Sequence, residues 1–310
     1  MGADTKGQAM SVKRTCYAAL LLIAVCLSTD ARQALAEITA PAVPSAKEDF
    51  DSRETIGGFV EVPGRGLMRY YAQNDPLYGD IMYEGYQSPT IRPMKNAACV
   101  PTAFAIALAN LVPRDELNRL AEFSYKGSGY SFCACCIWPK KCYRRHPQYD
   151  LSTNEEYERY LPLVVAGYAV GNNPKREVFR QKTGTSSRFF DALCEIYEIP
   201  YQHRQSYIDT EAAFAHGAIA VACTATKYSP FSATGIGHYI VFIWADEEYL
   251  YFLDPVYTDN YRRTDTNRIL EVLTPGVLRV RKENRRELCV TSLFLMFPPA
   301  YAAMQDGING

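Results

Sequence analysis

Residues 99–111 read CVPTAFAIALANL, and this stretch limits the fold more than any other. Its apolar residues run almost all the way round a helix, so no face is left for solvent and other elements have to wrap it. Pro101 suits the first turn, where a backbone N–H has no helical partner to lose. Helical spacing is expected over 114–125, 154–169, 187–199 and 210–216. Phe189, Phe190, Leu193, Ile196 and Tyr197 mark the third of these, and Thr210 or Asp209 would cap the fourth. Beyond them the pattern changes, and 218–224, 239–244, 249–253, 277–281 and 289–297 read as strands. Helices followed by an antiparallel sheet make an α+β arrangement. Residues 57–98, rich in Gly, Pro and Tyr, read as loops with short extended pieces, and no internal repeat is visible.

The helix also opens on a thiol. Cys99 stands where the apolar run begins, and the positive end of a helix dipole there favours a thiolate. Taken alone, a cysteine in such a run is an ordinary small core residue. Two later segments change the weighting, Gly237-His238-Tyr239 and Leu253-Asp254-Pro255. Strands 239–244 and 249–253 form a hairpin around Asp246-Glu247-Glu248. If Ala245 pairs with Tyr249, the register puts Asp254 across from Ile240, two residues from His238 and on the same face. A slip of one residue would separate them. Cys99, His238 and Asp254 are the parts of a nucleophile, its base and the group that orients the base.

These segments resemble the papain-like cysteine peptidases related to the double-glycine (bacteriocin leader) peptidases. The likeness rests on Gln73-Asn74-Asp75-Pro76-Leu77-Tyr78, Tyr83-Glu84-Gly85, Ala98-Cys99-Val100-Pro101-Thr102, Gly237-His238-Tyr239 and Asp254-Pro255, spread over about residues 65–256. It implies a papain-like fold, in which a helical part with the cysteine-bearing central helix packs on an antiparallel sheet. It also implies a Cys99–His238–Asp254 triad, with Gln73 as the side-chain donor of an oxyanion hole. Asn96 and Gln87 are alternative amides, chosen for nearness in sequence. The chain departs from the pattern at Val100, where the family has Gly, and at Tyr78, where it has Trp. A valine beside the nucleophile would crowd an incoming carbonyl. The implied reaction is hydrolysis of a peptide amide through a thioester, without a cofactor or metal. The alternatives are a binding module that has kept the fold, and a thiol hydrolase that cleaves peptidoglycan. Thiol reactivity separates the binding module from both enzymes, and amine release from muropeptides separates the enzymes from each other.

Composition narrows the setting. The 310 residues are 48% hydrophobic and 22% charged with a formal net charge of -1, which fits one generous domain and argues against nucleic acid as a partner. Lys13 and Arg14 precede an apolar run over 16–27, too short to span a bilayer, and Ala34-Leu35-Ala36 follows. Residues 1–36 therefore read as a signal peptide and 37–56 as a linker or short pro-segment. Residues 57–310 read as the catalytic domain, with a Cys-rich insertion at about 127–150. The expected location is periplasmic or extracellular, with a peptide or protein as substrate and no stable membrane insertion after cleavage.

Of ten cysteines, Cys16 and Cys26 would leave with the signal. In an oxidising compartment some of the rest should pair. Cys133, Cys135, Cys136 and Cys142, with His146 close behind, could form disulfides or hold a metal. The Cys-x-Cys-Cys spacing lacks the two-residue gap of a zinc knuckle, which favours disulfides. Cys194, Cys223 and Cys289 read as packed in helix and strands, and His203 and His216 as structural. Cys223 would matter to catalysis only if it approached Cys99.

Overall fold

A seven-stranded, wholly antiparallel sheet carries the molecule, with the apolar helix against one face. The computed structural model describes residues 56–83, 92–120, 131–133, 148–150, 153–171, 173–175, 177–181, 184–204, 210–224, 230–231, 237–256 and 269–301. All of them belong to the unit Ala46–Gly310. The expected signal peptide and most of the linker lie outside the described residues. So do Gln87, Asp209, Cys135, Cys136, Cys142 and His146, and of Cys133 only the backbone is described.

A hairpin of β1 (Gly58–Val62) and β2 (Gly66–Tyr70) comes first, in the region that sequence reads as mostly loop. Two short strands, β3 (Met82–Tyr83) and β4 (Arg92–Pro93), pair before a single helical turn, α1 (Met94–Ala97). Then comes α2 (Cys99–Leu111), with the bounds that its apolar pattern predicts. β5 (Ser131–Cys133) and β6 (Gln148–Asp150) pair across the Cys-rich stretch. The helix expected over 154–169 is two helices, α3 (Asn154–Arg159) and α4 (Leu161–Ala169). Pro162 is the physical reason: it has no N–H to donate and crowds the preceding turn, so the chain restarts at Tyr160. Thr153 caps α3 by accepting from the Glu156 N–H at 3.1 Å. Over 114–125, only a 3-10 turn at Arg114–Glu116 and a helical pair at 119–120 are seen, and residues from 121 are outside the described set.

The short pair β7 (Arg180–Gln181) and β8 (Gly184–Thr185) precedes α5 (Arg188–Ile196). Next come β9 (Tyr201–Arg204) and α6 (Glu211–Phe214). Thr210 does precede α6, but its hydroxyl makes no cap and is buried without a partner. The rest of the main sheet follows: β10 (Ile219–Thr224), β11 (His238–Ala245), β12 (Tyr249–Leu253), β13 (Leu270–Thr274), β14 (Val277–Arg281) and β15 (Val290–Met296). Its spatial order is β13-β14-β12-β11-β10-β15-β9. β9 and β13, the two edges, escape the sequence pattern because YQHR and LEVLT lack a sustained apolar run.

β10 and β11 are apolar without alternation because both faces of the sheet are covered. On one face Val221, Val241, Phe294 and Met296 join the core built around α2, where Phe104 meets Phe189 and Phe190 edge-on. On the other, Ala220, Ile240, Phe242 and Phe252 pack with Phe214 of α6 and Phe297 beyond β15. α2 touches β2, α4, β10 and β11, and every residue from Val100 to Leu108 is buried. The architecture is α+β.

Candidate active site

The approach to Cys99 is fixed by a break in helix direction. Ala98 closes α1, donating its N–H to the Met94 carbonyl at 2.9 Å, and also opens α2. Cys99 is thereby the first residue of a 13-residue helix that no side chain caps. It is half-buried and free of any disulfide. Val100 is only 3% exposed and belongs to the core, so its side chain packs inward, away from the crowding that sequence alone suggests.

His238 opens β11 and Asp254 follows β12. Val241 pairs with Leu253 and Phe242 with Phe252, which leaves Asp254 level with Ile240 as the register argument requires. The turn differs from expectation. Ala245 pairs with Leu250 rather than Tyr249, and a bulge between Phe242 and Trp244 absorbs the extra residue. Asp246 holds this longer turn, its Oδ1 accepting from the N–H groups of Glu248 and Tyr249.

His238 Nε2 then lies 2.7 Å from Asp254 Oδ1. Asp254 is 1% exposed and is held from several directions: its N–H donates to Gly276 O, its carbonyl accepts from the Tyr70 hydroxyl at 2.8 Å, and Oδ1 also accepts from Val256 N–H. Burial works against a charged His238 ring. The Asp254 carboxylate outweighs it and, with the Cys99 side chain, pushes the imidazole up to about 10. With Nε2 committed to the carboxylate, Nδ1 is the nitrogen left for the sulfur. The ring of Phe231 lies 6.1 Å from that of His238.

Gln73 ties the two halves of the site together. Its backbone N–H donates to Pro255 O at 2.6 Å, next to Asp254, and its Nε2 donates to Lys95 O at 2.7 Å, in the turn that leads to Cys99. It is buried, and its Oε1 has no partner. Asp75, from the same sequence element, is a structural acceptor: its carboxylate takes the N–H groups of Ile56, Gly57 and Leu77. Tyr78, where the peptidases that the sequence resembles have Trp, is buried. Asn96 is exposed.

Three further side chains act on Cys99, and none was singled out as a site residue in the sequence. Tyr83, buried in β3, feels both the thiol and the Arg180 guanidinium, and burial raises its phenol to about 12. Tyr239 stands opposite Cys223 across the β10–β11 pair, and both lie within electrostatic reach of Cys99. Burial pushes the Cys223 thiol up, and Cys223, Cys194 and Cys289 are all unpaired. Tyr83 and Tyr239 stand in quoted motifs and could have been found from them; that Cys223 faces Tyr239 is visible only through the β10–β11 register that pairs them. Of the histidines read as structural, His203 stacks on Phe294 with 4.4 Å between centroids, and His216 tilts towards Tyr301. Among the described residues no cluster of three or more His, Cys, Asp and Glu could hold a metal, and no helix is long and apolar enough to cross a membrane.

Compared with protein-family models and with curated proteins, the chain matches none of them.

Proposed function

We propose that the protein is a papain-like cysteine peptidase or amidase that cleaves a peptide amide bond outside the cytoplasm. The observation that carries this reading is the 2.7 Å His238–Asp254 hydrogen bond, at the start of the strand against which the Cys99-headed helix α2 packs. Asp254 fixes the ring with its Nε2–H towards the carboxylate, and the imidazolium form stands ready to pair with a thiolate. Cys99 Sγ attacks the amide carbon, and negative charge builds on the carbonyl oxygen. The Cys99 backbone N–H and the second hydrogen on Gln73 Nε2 are the donors for that oxygen. His238 passes its proton to the leaving amine, which departs and leaves a thioester on Cys99. Water, deprotonated by His238, then releases the acid and restores the thiol.

The experiment is digestion of a peptide pool from a bacterial lysate, with new termini read by mass spectrometry. The reading predicts a set of termini that is absent when Cys99→Ala replaces the protein. Identical termini from both samples, or none from either, would contradict it.

A further inference from the structure

Among the described residues two arginines are almost wholly buried, and they are treated differently. Arg69, 4% exposed, is paired with the Glu158 carboxylate. Arg180, 6% exposed, has no carboxylate partner among the described residues. Its Nη1 donates to Gly184 O at 2.9 Å, its guanidinium lies 5.0 Å from the centre of the Tyr83 ring, and its Nε is buried without any hydrogen-bond partner. A buried cation with an idle donor and no counter-charge among the described residues is costly, and a carboxylate brought by a ligand would complete the pair. The location of Arg180 says which ligand that is. Tyr83, on which Arg180 stacks, belongs to β3, and β3 packs against α1, the turn that delivers Cys99, so one strand links the guanidinium to the approach to the nucleophile.

We propose that Arg180 is a specificity residue of the candidate active site and binds a carboxylate of the substrate. This rests on the peptidase reading above and names its substrate class as peptides with a carboxylate near the scissile bond. The carboxylate is either an Asp or Glu side chain or the chain's own C-terminus. The guanidinium suits a planar two-oxygen anion, and stacking on Tyr83 holds its fork in place. Arg69 gives the contrast within the same molecule: an arginine that only supports the fold comes with its own carboxylate.

The test reads binding, so it does not depend on turnover. Protein carrying Cys99→Ala is immobilised and exposed to a pentapeptide pool with Glu or its neutral isostere Gln at one position, each made with a free acid or an amide at the C-terminus. Retained peptides are counted by mass spectrometry. Carboxylate-bearing peptides are expected to be retained about tenfold or more over their neutral counterparts. Arg180→Met on the same background should bring that ratio close to one, and Arg180→Lys should fall between, because an ammonium keeps the charge but loses the fork. Enrichment that follows Glu whatever the terminus assigns an acidic side chain, and enrichment that follows the free acid assigns the chain end. Equal retention of acidic and neutral peptides, or enrichment that survives Arg180→Met, overturns the proposal.

A thermal melt gives a second reading without ligand. Removing a buried charge that has no carboxylate partner among the described residues should hold or raise Tm in Arg180→Met, whereas a fall of about ten degrees would mark Arg180 as a structural strut and overturn the proposal. Failure of the wild-type protein to cleave any peptide would sink the peptidase reading and leave the retention ratio readable. A flat ratio with intact cleavage would sink only the role of Arg180.

Discussion

Gly276 lies against the ring of Tyr70, whose hydroxyl donates to the main-chain carbonyl of Asp254 at 2.8 Å. The two residues belong to opposite ends of the chain, and between them they fix where the candidate orienting carboxylate sits. Gly276 adopts φ +84°, and a Cβ there would stand 2.7 Å from the Tyr70 hydroxyl oxygen. Its own carbonyl accepts the Asp254 N–H.

Gly276→Ala should therefore act on both fold and site. Left-handed backbone and a forced shift of Tyr70 together predict a loss of about 1–3 kcal/mol in urea unfolding, with peptide cleavage falling alongside. Unchanged stability would mean that the turn relaxes freely and that Tyr70 does not fix Asp254.

Val100→Gly separates family pattern from local physics. The peptidases that the sequence resembles have Gly here, but in this chain Val100 is buried in the core at the start of α2. The change should cost about 2–4 kcal/mol through lost burial and helix propensity, without raising kcat. A gain in kcat would show that Val100 does obstruct the substrate.

Gln73→Ala should lower kcat by about 10- to 1,000-fold with a smaller effect on KM, the signature of a donor used mainly in the transition state. Equal losses from Asn96→Ala and none from Gln73→Ala would move the oxyanion donor to the other amide.

Asp254→Asn removes the charge that holds His238 protonated. In the wild type the folded value, about 10, lies above the ordinary histidine value, so the pair's contribution to stability is fully present below about pH 6.5 and is lost as pH rises through about 10. The stability gap between wild type and Asp254→Asn should narrow over that window. Proton NMR of the imidazole should show no titration of His238 between pH 5 and 8 in the wild type, and a lower midpoint in the variant, where only Cys99 is left to offset burial. A wild-type midpoint near 6.5 would mean that the two side chains are not coupled as the distance implies.

Much of this was legible from residue order. Cys99–Leu111 could be bounded because a helix with no polar face has few places to go, and 249–253 and 277–281 because their apolar runs end at turn residues. His238 and Asp254 could be placed on one face because strand parity is rigid, although the turn itself was one residue longer and a bulge restored the register. What was not legible depends on long-range partners. The β1–β2 hairpin has no apolar alternation to show it, and neither Tyr70 nor Gly276 carries a local sign that they meet at Asp254. Nothing local marks Arg180 as buried; the ring it stacks on, Tyr83, lies nearly a hundred residues earlier.

The most direct test of the central claim is alkylation of the protein by iodoacetamide from pH 4 to 9, read at each cysteine by mass spectrometry. The account predicts that Cys99 labels fast below neutral pH, ahead of Cys194, Cys223 and Cys289, and that His238→Ala slows it. Slow labelling of Cys99 that rises only near pH 8.5, the ordinary thiol range, and is indifferent to His238→Ala would contradict it.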